Sequence, residues 1–184
     1  MPVSRLSPWE EARELTEFNR EVFDRYARRV SRLSWSEATR DRETGHHSLF
    51  QTLVHVLHVQ EVWLVYIVRG RNRELPRLFR DPRRSPKSWK EFREYSRRVW
   101  SEIDQTVTNL GDRDFARRVK APWMPGRYTV RDAFFQTTFE EAHHVGEVIG
   151  ALWQDDREPP VMMWIPILRS GRSRPRRRRI RRRV

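Results

Sequence analysis

Four long segments of the chain carry apolar residues at the spacing of an α-helix, and this pattern constrains the fold more than any other feature. The first segment is typical, because its apolar residues recur every three or four positions and form one stripe: Leu15, Phe18, Val22, Tyr26 and Val30. Helices are predicted over Pro8 to about Leu33, Ser48–Arg69, Ser85 or Ser88 to Leu110, and Thr129–Gln154. No stretch alternates apolar and polar residues as a strand would. We therefore expect an all-α protein, a four-helix bundle.

Capping residues, glycines and prolines mark the ends of these helices. Ser7, Ser48 and Thr129 are predicted N-caps, and Gly70 and Gly111 follow the second and third helices. The connections are interpreted as a polar loop (Ser34–His47), a proline-containing link (Arg71–Pro86) and a long crossover (Gly111–Tyr128). We expect one domain over residues 1–168 and a separate tail over residues 169–184.

The net charge of +13 is concentrated in that tail. Arg169–Val184 contains ten arginines and no acidic residue, so the rest of the chain carries only +3. Such a segment cannot bury apolar surface, and we expect it to be disordered. Ten clustered arginines could also bind nucleic-acid phosphates without sequence preference.

Composition excludes several other classes. The sequence has no cysteine, which excludes disulfides, thiolate metal sites and cysteine nucleophiles. It has no run of about 18 uncharged apolar residues, and its N-terminal segment lacks the apolar core of a signal peptide. We expect a cytoplasmic protein that makes no use of a membrane.

The second predicted helix is almost wholly apolar, yet it carries a polar side. Gln51, Thr52, His55 and His58 lie within about 120° of one another on a helical wheel. Buried polar groups need partners, since an unpaired one costs about 1–3 kcal/mol. These side chains are therefore either satisfied core residues or part of a site inside the bundle.

The fourth predicted helix supplies a matching group, Glu140, Glu141, His143 and His144. Glu140 and His144 are four residues apart, so their side chains project side by side. With one imidazole from a facing helix they make a three-ligand site of the kind that suits divalent zinc, iron or nickel. A solvated helix face is the simpler explanation of the same residues.

Periodicity does not decide which carboxylate belongs to such a site. The apolar arc of this helix places Glu141 nearer the core centre than Glu140. Glu141 and His144 also match the Glu-x-x-His unit of di-iron bundles. A di-iron centre needs a second such unit, and the first three predicted helices contain none.

At these residues the sequence resembles the DinB family, which is named for damage-inducible members and is related to bundle enzymes that use thiols such as bacillithiol or mycothiol. The resemblance rests on His55-Val-Leu-His-Val-Gln-Glu-Val-Trp63 and on Glu140-Glu-Ala-His-His144-Val-Gly146-Glu147. It extends over Ala151-Leu-Trp-Gln154 and Pro159-Pro160, so it covers roughly Trp9 to Pro160.

The resemblance implies an up-down-down-up bundle with a long crossover, and a metal held by His55, Glu140 and His144. The family commonly has histidine at the position of Glu140, so this chain would use two histidines and a carboxylate. Glu141, His58 and His143 would then support the ligands or act as acid–base groups.

The leading hypothesis is a metal-dependent hydrolase or thiol transferase, in which one divalent transition metal (Zn, Ni or Fe) activates water or a small thiol. The alternatives are a nucleic-acid-associated protein that binds through the arginine tail, and a non-catalytic dimeric bundle. A homodimer is expected in each case, because Trp9, Trp153 and Val161–Leu168 offer more apolar surface than a small bundle buries.

Overall fold

The computed structural model describes residues 6–43 and 45–163, and the chain is mostly helical. The α-helices are α1 (Pro8–Val30), α2 (Trp35–Thr39), α3 (Leu49–Gln60), α4 (Leu75–Leu78), α5 (Trp89–Asn109) and α6 (Val130–Gln154). A π-helical segment, Glu61–Ile67, continues α3. Single 3₁₀ turns occupy Asn72–Glu74, Pro82–Arg84 and Asp112–Ala116. Strands β1 (Arg118–Val119) and β2 (Tyr128–Thr129) form a short antiparallel pair.

The predicted N-caps are confirmed, because each side chain accepts a hydrogen bond from the first turn of its helix. Ser7 and Thr129 form complete capping boxes with Glu10 and Asp132. Ser48 accepts from the backbone N–H of the residue three positions on. The starts of α1, α3 and α6 therefore follow from local hydrogen-bond chemistry.

Two connections and one helix differ from the prediction. The segment Ser34–His47 is not a plain loop, since Ser34 and Glu37 form a capping box that starts α2. The second predicted helix changes to π geometry at Glu61 rather than continuing as one α-helix. The crossover closes with the β1–β2 pair, in which Arg118 and Val119 lie opposite Thr129 and Tyr128.

The core lies where α6 packs against α1 and α3, while α5 packs on the π-helical segment and on α3. Tyr26, Leu57, Val99 and Leu152 from four of these helices are completely buried. Truncating one such leucine to alanine would cost about 2–5 kcal/mol. The packing of α3 against α6 brings the two histidine-bearing segments together.

Within residues 6–43 and 45–163, no helix is both long and apolar enough to cross a membrane. The arginine tail 169–184 and the segment 164–168, for which disorder and dimer contacts are predicted, lie outside the described residues.

Candidate metal centre

Three histidines from different parts of the sequence converge between α3 and α6. His46, His55 and His144 each offer a ring nitrogen, and the three nitrogens lie within 4.8 Å of one another. The ring of His46 stacks on that of His55 at 3.9 Å between centroids. His144 meets His55 edge-on at 4.6 Å and His46 at 4.7 Å. The sequence pattern predicted His55 and His144, and the loop adds His46.

The loop before α3 is held against the end of α6, and this places His46. Arg42 donates to the Asp155 carboxylate at 2.8 Å and, through its backbone N–H, to the carbonyl of His47 at 2.6 Å. His47 has a left-handed backbone (φ 60°), which reverses the chain just before the Ser48 cap. A side chain on Gly45 would come within 3.4 Å of a carboxylate oxygen of α6, so the loop passes close to that helix.

His144 is buried and is oriented by two carboxylates of its own helix. Its Nδ1 lies 2.9 Å from Glu147 Oε2, and its Nε2 lies 3.4 Å from Glu140 Oε2. A neutral His144 that donates from Nδ1 to Glu147 presents the lone pair of Nε2. This arrangement is the usual way in which a carboxylate fixes the tautomer of a metal-binding imidazole.

Burial favours the neutral form of two of these imidazoles, His46 and His55. Desolvation lowers the pKa of His55 to about 4, and the neighbouring His46 adds to the shift. Desolvation likewise lowers the pKa of His46, with a further contribution from His144. Neutral imidazole is the form that binds metal, so the low pKa values favour ligation.

Glu140 lies beside His144, but it is not part of the group of three histidines whose nitrogens lie within 4.8 Å of one another. Its Oε1 accepts a hydrogen bond from Gln136 Nε2 at 2.8 Å, which leaves Oε2 directed at His144 Nε2. Two ligand atoms of a tetrahedral site with bonds of about 2.0–2.1 Å are about 3.4 Å apart. The 3.4 Å separation of Glu140 Oε2 and His144 Nε2 matches that distance.

His58 lies next to this group but makes a different contact. Its Nε2 lies 2.6 Å from the backbone carbonyl of Arg84, to which the neutral ring donates. Burial, together with the adjacent charge of Arg84, lowers the pKa of His58 to about 4. His58 therefore ties α3 to the Pro82–Arg84 turn.

Glu141 and His143 point in other directions. Glu141 is 2% exposed and accepts a hydrogen bond from Gln60 Nε2 at 2.8 Å. Burial raises the pKa of Glu141 well above its ordinary value. The side chain of His143 is 68% exposed, and its Nε2 lies 3.8 Å from Glu147 Oε1. His143, His144 and Glu147 form a second group with metal-ligand spacing, on one helix and more exposed.

Sequence reasoning missed His46, which it assigned to a polar loop. The signal available was the pair His46-His47 placed directly before the Ser48 cap. The position of that pair depends on how the loop folds back over α3 and α6, which no local sequence pattern indicates.

Two clefts give access to the histidines from different sides. The first, the loop cleft, has a volume of about 690 Å³ and is lined by Trp35, residues 45–48, Phe50, Gln51, Val54, His55, His58 and residues 84–87. The second, the aromatic cleft, has a volume of about 570 Å³ and is lined by His55, His58, Val59, Val62, Trp63, Phe79, Arg84, Trp123, Met124, Gln136 and Glu140. Both volumes lie in the range of small-molecule sites.

Comparison with known proteins assigns the chain to a family. No curated protein matches the chain. The family model of the DinB superfamily matches residues 19–148, which include α3, most of α6 and all three histidines of the candidate centre. Because this match covers well over half of the sequence, the chain belongs to the DinB superfamily.

Proposed function

We propose that the protein holds one divalent transition-metal ion between α3 and α6 and uses it in hydrolysis or thiol transfer. His55 and His144 are the ligands that the sequence indicated, His46 is the third, and Glu140 is the carboxylate beside them. The observation that carries the proposal is the convergence of three imidazoles from three separate stretches of chain within 4.8 Å.

The donor set fits such an ion. Three imidazoles that leave a coordination position open are typical of Zn²⁺, Ni²⁺ and Fe²⁺ sites, and the Glu140 carboxylate lies beside one of them. Burial keeps His46 and His55 neutral by lowering the pKa of each ring. Glu147 holds His144 by its Nδ1 at 2.9 Å, so that Nε2 is free to bind.

A bound ion of this class would act as a Lewis acid and lower the pKa of a water or thiol. Glu140 is the group best placed to accept the proton that is released, since its Oε2 lies beside His144 and its side chain lines the aromatic cleft. His58 donates to the Arg84 carbonyl and so holds the wall shared by both clefts. His143 and Glu141 are less well placed for acid–base work, because one is exposed and the other is sealed in the core.

We propose further that α1, α3, α5 and α6 are the four helices of the family's up-down-down-up bundle, and that the segment between α5 and α6 is the long crossover. The pairing of α6 with both α1 and α3 supports this topology.

Metal content of protein purified without a His-tag tests the site. The wild type should carry about one ion per chain, and His46→Ala, His55→Ala and His144→Ala should each lower the affinity at least tenfold, as loss of a ligand does. The matched controls are His47→Ala and His143→Ala, whose side chains are 69% and 68% exposed. Stoichiometric metal in all three cluster variants would refute the site.

A pair of isosteric variants tests the choice of carboxylate. Glu140→Gln should weaken metal binding by about 10–100-fold, the scale for a supporting or ligating carboxylate. Glu141→Gln should leave the affinity almost unchanged, because that side chain pairs with Gln60. The opposite order would assign the role to Glu141.

A further inference from the structure

The aromatic cleft has a polar end and an apolar end. Along α3 and the π-helical segment that continues it, His55 is followed by Val59, Val62 and Trp63 on the wall of the cleft. The eight steps from His55 to Trp63 span at most about 12 Å. α6 runs the other way, since His55 meets His144 and Gln60 pairs with Glu141. The cleft therefore extends from the histidines towards Trp63.

Residues from two connections complete the apolar end. Phe79 follows α4, and Trp123 and Met124 belong to the crossover between α5 and α6. The rings of Trp63 and Trp123 meet edge-on at 6.0 Å. Phe79 and Trp123 are 54% and 50% exposed, although side chains of this size are usually well covered.

Two ionised side chains of opposite sign line the cleft, Arg84 and Glu140. Arg84 is buried and its Nε is paired with Glu61 Oε2 at 2.9 Å, but Glu61 also pairs with Arg98 at 2.8 Å, so one carboxylate faces two guanidinium groups. Glu140 has Gln136 and the imidazole of His144 as its contacts, with no arginine or lysine among its ion pairs in the described part of the chain. Because the cleft carries charges of both signs, its selectivity rests on its aromatic and apolar side chains.

From this geometry we infer that the aromatic cleft binds the uncharged aromatic or alkyl portion of a small molecule, against Trp63, Phe79, Trp123 and Met124. The proposal rests on the proposed function for one point, namely that the reacting end of that molecule lies at the histidines. The volume of about 570 Å³ lies in the range that accommodates a small aromatic molecule.

Binding of a neutral fluorescent probe, N-phenyl-1-naphthylamine, to the full-length protein tests this inference with and without a chelator. Trp123→Ala and Phe79→Ala should each raise the probe's Kd about 3- to 10-fold, the scale of one aromatic contact. Trp123→Phe should restore most of the affinity. Trp153→Ala is the matched control, since Trp153 is 56% exposed and does not line the cleft.

The outcomes separate this inference from the metal site. Probe binding that depends on Trp123 in a protein without metal would support the cleft while the metal proposal failed. A protein that binds metal but not the probe would overturn the inference alone. Equal loss in Trp153→Ala and Trp123→Ala would also overturn it, and so would a loss confined to Trp35→Ala, which would place the probe in the loop cleft.

Discussion

The carboxyl group of Glu141 is sealed between α6, α3 and α1. Its Oε2 accepts from Gln60, while Glu141 Oε1 and Gln60 Oε1 have no hydrogen-bond partner among the described residues. Desolvation is the main reason that its pKa is raised, and the hydrogen bond from Gln60 opposes the shift only in part. The group therefore favours its protonated form in the folded protein.

The sign of its effect on stability follows from linkage. The carboxyl group of Glu141 binds its proton more tightly in the folded state than in the unfolded state, where its pKa is about 4.5. The free energy of unfolding should therefore fall as pH rises from about 4.5 towards the raised pKa. At neutral pH, Glu141 is a destabilising residue.

Glu141→Gln should stabilise the protein at pH 7, because an amide is neutral at every pH. The amide also brings N–H donors to a place where two buried oxygens have no hydrogen-bond partner among the described residues. The expected gain is about 1–3 kcal/mol, or roughly 2–4 °C in Tm for each kcal/mol in a chain of this length. Thermal unfolding at pH 4.5 and pH 7 measures it, and the gain should shrink at the lower pH. Glu140→Gln, at a partly exposed position, should show no such gain, and an equal gain there would contradict the argument.

At the scale of elements, the π-helical segment Glu61–Ile67 is tied to its neighbours by one buried carboxylate. Glu61 Oε2 accepts from Arg84 Nε and from the Tyr95 hydroxyl, both at 2.9 Å, and Glu61 Oε1 accepts from Arg98 at 2.8 Å. The Pro82–Arg84 turn and α5 are thereby joined to the end of α3. Arg84 in turn supplies the carbonyl that accepts from His58, so this cluster supports the wall of both clefts.

Glu61→Gln should destabilise the fold by about 3 kcal/mol, because it leaves the buried guanidinium of Arg84 without its counter-charge. Chemical denaturation followed by circular dichroism measures the change. Glu74→Gln is the matched control, since it breaks the Glu74–Arg71 pair at the surface, and such pairs contribute less than about 1 kcal/mol. A similar loss in both variants would mean that Glu61 has no special role.

At the scale of the whole molecule, three large apolar side chains at or after the end of α6 are more than half exposed. Trp153, Val161 and Met163 are 56%, 54% and 58% exposed. The segment that carries the last two is fixed to α1, since the Tyr26 hydroxyl donates to the Pro160 carbonyl at 2.6 Å. A fixed and exposed apolar surface of this kind is typical of an interface.

We expect a homodimer that uses this surface, as the sequence suggested. Light scattering at micromolar concentration should give about twice 22.5 kDa, and Trp153→Asp should shift the mass towards that of a monomer. Trp123→Asp, which places the same charge in the aromatic cleft, should leave the mass unchanged. A wild-type monomer at both low and high salt would refute the dimer.

The helices and two of the three histidines could be predicted from the sequence because their signals are local. A cap such as Ser48 acts on the backbone three residues away, and the polar side of a helix shows in its period, which marked His55 together with Gln51, Thr52 and His58. The resemblance to the DinB family then indicated His55 and His144 as ligands. The family resemblance added the pairing of those two helices, and the match to the DinB superfamily confirms the family assignment.

Tertiary structure decided the rest, because the remaining choices depend on which groups approach from far along the chain. Glu140 and Glu141 both border the apolar arc of α6, and it is Gln60 that draws Glu141 into the core while Glu140 stays beside His144. His46 reaches the histidines because Asp155, more than a hundred residues away, binds the loop through Arg42. The sequence by itself determined the helices and the imidazoles that they carry, whereas long-range packing determined the set of groups that meet.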